Sequence, residues 1–440
     1  MVRLFLLQAI RPLSNSLFFS KRFFPLFWVQ FLGAFNDNVF KNALVMLVTF
    51  KLAKDPAEIG LLITLAAGVF ILPFFLFSAL AGQIADNYDK TWLTQKIKLA
   101  EVLIMLTGAV AFITGDIVFL YIVLFLMGVQ SAFFGPIKYA ILPEHLSKNE
   151  LLTGNGWFSA STFVAILLGT IVGGFVSLIE GGLVWLSILI IFFAITGYVF
   201  SLFMPASVTP QHKIKLSVNF IKTTWLEIKY SRQYPQAFFA VLAISWFWFL
   251  GATYLSQIPV MVKDLIFADD KVVLLFLATF SIGIAKGALI VNYLNLKIRT
   301  IHDVRWLGLL LLGISVAIWL SNLAMGLIEQ TEKALLLQDF FFELMPMTVL
   351  LLLGCIAILG GMYIVPLYTL LQTQTPQGSR SRMVAVNNIM NAIFMVVSAI
   401  LIMLLYAIDW SLVNIFTVIL GLNLLVFISF YKRVDDEIFI

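Results

Sequence analysis

The chain has 440 residues, of which 61% are hydrophobic and only 12% are charged, whereas a soluble domain is about half apolar and about a quarter charged. This composition predicts an all-α protein that crosses a membrane many times, and it excludes an ordinary soluble enzyme. The single cysteine, Cys355, excludes internal disulfides and Cys-rich metal sites. It lies in an apolar run, so we expect an inert, buried thiol.

Motifs for nucleotide or hydrolytic chemistry are absent from the sequence. It contains neither the phosphate-binding pattern GxxxxGK[ST] nor the nucleophile pattern GxSxG, and its three histidines are scattered over loops. We therefore expect no enzymatic activity, no resident cofactor and no metal site.

Apolar runs of about 20 residues predict membrane-spanning helices. We expect twelve spans: six in succession, then a long polar break, and then six more. The organisation is then an interfacial arm over 1–22, a six-helix bundle over 23–204, a cytoplasmic linker over 205–235, a second six-helix bundle over 236–432 and a tail over 433–440. The predicted spans are 24–50, 58–83, 92–114, 117–142, 152–178, 182–204, 236–262, 271–295, 304–327, 345–372, 383–407 and 411–431.

The basic residues give the orientation. In this topology twenty of the 28 Lys and Arg residues fall on the side of the two termini and five on the opposite side. Loops rich in Lys and Arg stay in the cytoplasm, so both termini are predicted there. The net charge of +5 then reflects topology and contact with anionic lipids, and not a nucleic-acid partner.

The first predicted span contains the polar sequence QFLGAFNDNVFKN, which begins at Gln30. At helical spacing Gln30, Asp37 and Lys41 share one stripe, Asn38 lies beside it and Asn36 points elsewhere. A charge at membrane depth costs about 3 kcal/mol on insertion scales. Two interpretations remain open: a self-neutralising Asp37–Lys41 pair that only holds helices together, or the polar face of a transport path.

Other charged residues in predicted spans also allow two interpretations. Lys98 and Glu101 are i,i+3 neighbours near the cytoplasmic interface, where a neutralised pair accounts for them. Lys138 follows a Gly-Pro step, and it either extends to water, holds a phosphate or pairs with Asp37. Lys286 extends to water or contacts a headgroup.

Two helical patterns indicate packing and interfacial surfaces. Small residues recur at every fourth position of span five, which is typical of closely packed membrane helices; they are Ser161, Ala165, Gly169, Gly173 and Ser177. In the linker an apolar stripe lies opposite Lys222 and Lys229, which predicts an amphipathic helix on the cytoplasmic face with Trp225 at headgroup level. That stripe consists of Val218, Ile221, Trp225 and Ile228.

The end of span two resembles a loop motif of the major facilitator superfamily. Gly82 is followed by Asp86 and then Lys90, although Asn87 stands where a basic residue is usual. The resemblance implies that Gly82 permits close helix approach, while Asp86 and Lys90 form a latch at the cytoplasmic ends.

A longer stretch, from Phe133 to Gly174, resembles the lysophospholipid transporter family of bacterial inner membranes, a branch of that superfamily. It is also similar to the transporter domain that occurs fused to acyltransferase and acyl-carrier-protein synthetase domains. Ser159 departs from the pattern, because close relatives are expected to carry an acidic residue there. The residues that carry the resemblance are Gln30-Phe31-Leu32 with Asp37-Asn38, Gly82 and Asp86, Pro136-x-Lys138-Tyr139-x-Ile141-Leu142, and Asn155-Gly156 with Ala160-Ser161-Thr162.

The resemblance implies a transporter that moves lysophospholipid from the outer to the inner leaflet for reacylation. Its expected partners are the lysophospholipid substrate, membrane lipids and an acyltransferase or acyl-carrier-protein synthetase, with the protein itself a monomer. The implied path residues are Gln30, Asp37, Asn38, Lys41, Lys138, Tyr139, Asn155, Ser159 and Lys286.

Two other functions stay open at this point. The first is a proton-coupled exporter of a drug-like or siderophore-like amphiphile, in which Asp37 would titrate. The second is a membrane protein that transports nothing and serves as a scaffold for lipid enzymes.

Overall fold

The computed structural model describes residues 17–52, 55–208, 213–294, 297–298, 300–328 and 334–436. Within them, twelve helices have 20 residues or more, and their bounds lie within five residues of the predicted spans. These long helices are α1 Phe24–Leu47, α2 Pro56–Asn87, α3 Lys90–Thr114, α4 Ile117–Ala140, α6 Leu151–Leu178, α7 Gly182–Leu202, α9 Pro235–Val260, α10 Asp270–Ile290, α11 Leu307–Gly326, α13 Leu344–Thr373, α14 Arg380–Ala407 and α15 Leu412–Asp436.

Three shorter helices complete the described α-helical structure. They are α5 Leu142–His145, the linker helix α8 Phe220–Ser231, and α12 Leu337–Phe340. Among the described residues β-structure is limited to one isolated bridge between Ala268 and Leu335. The stretch between α11 and α13 contributes Leu335 to that bridge and contains α12, while 329–333 lie outside the described residues.

Eleven of the twelve long helices are apolar enough, as well as long enough, to cross a membrane. The twelfth, α1, has 24 residues and is therefore about 36 Å long, but it carries the polar sequence that begins at Gln30. It packs between α6 and α7, so its polar face meets protein over much of its length.

The helices pack in two sets with the same pattern. In the first set α1 pairs with α6, α2 with α4 and α3 with α7; in the second, α9 pairs with α14, α10 with α13 and α11 with α15. When the six long helices of each set are counted in chain order, both sets pair the first with the fifth, the second with the fourth and the third with the sixth. The two sets therefore have equivalent internal architecture, as expected for a chain with two related halves.

Contacts between the sets are concentrated at the end of the molecule that carries α8, which we call the linker end. The main pairs across the sets are α2 with α14 and α6 with α10. Gly82, near the end of α2, lies against Ala385 and Arg382 near the start of α14. Toward the other end, the same two helices expose Leu61 and Met403.

The small residues of α6 form the helix contact that the sequence predicted. A side chain at Gly169 would lie 2.7 Å from the carbonyl oxygen of Phe35, and one at Gly173 would overlap that of Val39. Helix α1 thus packs directly on this face. The prediction for Cys355 was wrong, because its thiol is exposed: position 355 is on the outer surface of α13.

Candidate functional site

Asp37 lies in the middle of α1 and is partly exposed. Its carboxylate accepts a hydrogen bond from the Ser131 hydroxyl of α4, with an Oγ–Oδ2 distance of 2.7 Å. The predicted ion pairs with Lys41 and Lys138 are not formed, since the ion pairs shown between described residues include none of these three. Asp37 is instead held by a neutral donor.

A buried ion pair lies beside Asp37. Lys98 and Glu101 of α3 are 2.7 Å apart, with side chains 0% and 2% exposed. Gln130 donates to the same Glu101 oxygen at 2.8 Å, and Ser131 contacts Gln130 at 3.3 Å. A chain of polar contacts therefore runs from Lys98 through Glu101, Gln130 and Ser131 to Asp37.

Lys98 and Glu101 form the neutralised pair that the sequence predicted, and it is buried among the first set of helices, where Gln130 extends it. The lysine fits there because α1 has a glycine at position 33: a side chain at Gly33 would overlap Lys98 Nζ. Two charges in a dry interior are costly unless each is well paired, and here Gln130 supplies an additional hydrogen bond to the acid.

Neither Gln130 nor Ser131 was predicted from the sequence as a site residue. Their signal was present, since they are adjacent polar residues in an otherwise apolar stretch of α4. Their position became informative only when α4 was packed against α1 and α3.

Lys41 and Lys138 are both partly exposed and contact aromatic rings. Lys41 Nζ lies 4.4 Å from the ring centre of Phe70, and Lys138 Nζ lies 5.2 Å from that of Tyr139. Cation–π contacts at partly exposed sites are modest, about 0.5–1 kcal/mol. Both cations can therefore leave their rings for an anion at low cost.

Three further polar residues of α1 form hydrogen bonds within or between helices. The Gln30 amide donates to Thr162 at 2.6 Å and to Ser161 at 3.2 Å, while Asn38 donates to the backbone of its own helix. Asn36 points away, as predicted, and donates to the carbonyl oxygen of Ile190 on α7. Gln30 and Asn38 thus lie at helix contacts, and their place in a transport path stays a prediction.

Tyr139, Asn155 and Ser159 lie at or near the seam between the two sets. The ring of Tyr139 stacks on that of Tyr368 from α13, with centres 3.9 Å apart. Asn155 and Gln372 exchange two hydrogen bonds at 2.7 and 3.0 Å, and Gln372 also donates to the Tyr139 carbonyl oxygen. These contacts close the seam. Ser159 is buried one helical turn from Asn155.

The latch residues divide into two groups. Asp86 joins the sets, because it accepts hydrogen bonds from the backbone N–H groups of Ser381 and Arg382 at 3.0 and 3.2 Å, and its carboxylate lies 3.4 Å from the Arg382 guanidinium. Lys90 does not join them; it pairs at 2.8 Å with Glu144 of the same set. Arg382 is thus the basic partner that sequence reasoning missed.

Lys286 is on α10, which packs against α6 of the first set. Its side chain is exposed, and it is on the last turn of α10 before Ile290. This position fits a lysine that extends toward water at the membrane edge.

Comparison with known proteins is consistent with this architecture. The model of the Major Facilitator Superfamily matches residues 26–337. The lysophospholipid transporter LplT of Serratia proteamaculans is 26% identical over 373 residues, covering 82% of each chain. The transporter of the same name from Yersinia enterocolitica is 27% identical over 375 residues, covering 82% of this chain and 81% of its own. The resemblance found in the sequence is confirmed.

Solved structures with the same fold are more distant in sequence. A bacterial homologue of the iron transporter ferroportin, in an outward-facing state, has a TM-score of 0.66 at 15% identity and covers 93% of this chain and 99% of its own. The proton:xylose symporter XylE has a TM-score of 0.69 at 13% identity and covers 96% of both chains. The match of the family model over most of the sequence, together with the paired sets of helices, shows that the chain belongs to the Major Facilitator Superfamily.

Proposed function

We propose that the protein transports lysophospholipids across a bacterial inner membrane, from the outer to the inner leaflet, where they are reacylated. The observation that carries the proposal is the placement of two accessible cations, Lys41 and Lys138, in the same set of helices as Asp37, with neither lysine in an ion pair among the described residues. A phosphate needs cationic hydrogen-bond donors. The names of the curated relatives support the substrate class.

The closed linker end supports the direction. If the basic loops lie in the cytoplasm, the two sets are in contact on the cytoplasmic side, and the opposite side is the one that admits substrate. Alternating access then requires the contacts of Asn155 with Gln372 and of Asp86 with Arg382 to open once the substrate has bound. An acyltransferase or acyl-carrier-protein synthetase would consume the delivered lipid.

Purified protein in liposomes tests the proposal with labelled lysophosphatidylethanolamine in the outer leaflet. We expect inward movement with the native chain and a loss of about tenfold or more in Asp37→Asn and Lys138→Gln, since each removes a charge worth at least 1.4 kcal/mol to a polar path. Asp409→Asn is the matched control. Asp409 is exposed and has a positive φ of 58°, which Asn also tolerates.

Equal movement with and without the protein would reject lysophospholipid transport. If lipid movement stays at background while efflux of a soluble amphiphile collapses with the proton gradient, the exporter is the correct function. If Asp37→Asn transports normally, the polar face of α1 serves packing.

A further inference from the structure

The linker helix α8 has an unusual distribution of exposed and buried residues. Its polar residues Thr223, Glu227 and Ser231, spaced by four, are 1%, 4% and 1% exposed. Its apolar residues Ile221 and Trp225 are 83% and 65% exposed. The helix thus binds the rest of the protein through its polar face and presents its apolar face outward.

The buried face of α8 joins helices from both sets. Glu227 accepts a hydrogen bond from Gln83 of α2 at 2.7 Å and lies 3.8 Å from the Arg382 guanidinium of α14. The Tyr230 hydroxyl is 3.0 Å from that of Ser379, just before α14, and its ring lies 4.4 Å from the Arg382 guanidinium. Helix α8 therefore spans the α2–α14 seam beside the Asp86 latch.

The location of α8 places its outward face in the membrane boundary. Phe220 packs edge-on against Phe77 of α2, with ring centres 5.2 Å apart. Residues 77–83 of α2 belong to an apolar helix that spans the membrane, so α8 lies alongside its last turns. An exposed tryptophan and isoleucine at that depth meet lipid.

The charges next to the apolar face select the kind of lipid. Lys222, Lys229 and Arg232 are all exposed. On a helix with about 100° per residue, Lys222 and Lys229 lie beside Ile221 and Trp225 and away from Glu227, so the prediction that they lie opposite the apolar stripe was wrong. Arg232 directly follows the helix. A basic helix face beside an apolar one attracts anionic headgroups.

We propose that anionic phospholipids of the leaflet at the linker end bind the outward face of α8 and thereby stabilise the closed α2–α14 seam. Opening the seam separates Gln83 from Arg382, so Glu227 cannot keep both partners. A lipid that holds α8 in its closed position therefore binds the closed state more tightly, and by linkage it shifts the population toward that state.

Distance measurements between spin labels test this directly. In a Cys355→Ser background, labels at Lys148→Cys and Gln377→Cys report on the separation of the sets at the linker end, because both positions are exposed and neither touches the latch. The protein is placed in nanodiscs of phosphatidylcholine alone or with phosphatidylglycerol. We expect phosphatidylglycerol to raise the ratio of closed to open distances by about fivefold, the lower end of typical coupling between sites.

Three variants make the outcome specific. The double variant Lys222→Gln, Lys229→Gln should lose the response, whereas Lys51→Gln, an exposed lysine at the opposite end, should keep it. Glu227→Gln should still dock on lipid but transmit less of the effect, since it keeps the hydrogen bond to Gln83 and loses the charge near Arg382.

An identical response in native protein and in the double variant would overturn the proposal, as would a distance distribution that phosphatidylglycerol leaves unchanged. The altered lysines are on the surface, so misfolding does not confuse the result. No substrate is present, and failure of lysophospholipid transport would therefore not affect the measurement.

Discussion

Arg22 and Glu150 connect the segment before α1 to the start of α6. The Arg22 guanidinium contacts both Glu150 carboxylate oxygens, one at 2.8 Å, and also donates to the His145 carbonyl oxygen at 3.1 Å. Partial burial opposes ionisation of Glu150. The hydrogen bonds from Arg22 and Ser147 and the charge of Arg22 outweigh it and lower the pKa of Glu150 to about 2.

This shift predicts a pH-dependent contribution to stability. A carboxyl with a lowered pKa stabilises the folded state above its ordinary pKa of 4.5, and the stabilisation is lost as the pH falls toward 2. Glu150→Gln should therefore lower the unfolding temperature in detergent at pH 7, with a smaller difference from the native protein at pH 3.

Glu180→Gln is the control for that measurement. Glu180 is an exposed glutamate just after the end of α6, whereas Glu150 lies just before its start. It should leave the unfolding temperature unchanged at both pH values. A decrease for Glu150→Gln that is equally large at pH 7 and pH 3 would contradict a role for the ionised carboxylate.

Single residues were predictable where their chemistry is improbable in a membrane. Asp37, Lys41, Lys98 and Lys138 are conspicuous in apolar runs, and the structure buries Lys98 fully while it leaves the other three partly exposed. Their partners were not predictable. The distance in sequence between Asp37 and Ser131 is 94 residues, and any of the bundle's polar residues was a possible partner before the helices were packed.

At the scale of elements, α1 and α6 depend on close backbone approach. A Cβ atom at Gly173 would overlap the Val39 carbonyl oxygen, which is backbone and cannot move aside. One residue further, a Cβ atom at Gly174 would meet only the end of the Met46 side chain at 3.7 Å, an ordinary contact.

Gly173→Ala should therefore destabilise the protein by about 1–3 kcal/mol, the usual cost of overpacking. Gly174→Ala should be neutral or slightly stabilising, because alanine favours a helix over glycine by about 1 kcal/mol. Thermal unfolding of the two variants side by side gives the comparison. Equal effects would show that α1 and α6 can separate slightly without loss.

The elements themselves followed from apolar length and periodicity, which is why the helix bounds agree well with prediction. The environment of each face was less accessible to sequence reasoning. For α8 the apolar stripe was predicted, but the burial of Glu227 was not, since an acidic residue is normally assigned to solvent. Only the presence of Gln83 and Arg382 explains a carboxylate that is 4% exposed.

For the whole molecule, the topology was predictable and the conformational state was not. The repeated helix pairings require only that two halves be built alike. Closure at the linker end depends on contacts such as Asn155 with Gln372, which are 217 residues apart. Such contacts form in one state of an alternating-access transporter and break in another, so the sequence must be compatible with both states.

The Asp86 latch is the contact that most directly affects the relative populations of these two states, because it stabilises the closed one. Its carboxylate accepts hydrogen bonds from two N–H groups at the start of α14 and also contacts the Arg382 guanidinium. A negative charge at a helix N-terminus is favourable, and hydrogen bonds to a charged group contribute about 1.5–3 kcal/mol. Both terms exist only while α2 and α14 are in contact.

Asp86→Asn removes the charge at nearly constant shape, so we expect the linker end to open more often. With spin labels at Lys148→Cys and Gln377→Cys, the population with long distances should increase about tenfold, the equivalent of 1.4 kcal/mol. Asp89→Asn is the matched control: Asp89 caps α3 through the Trp92 N–H at 2.7 Å, and asparagine caps a helix equally well. If both variants leave the distances unchanged, closure does not depend on the Asp86 charge, and the contacts of Tyr139 and Asn155 with α13 must hold the seam by themselves.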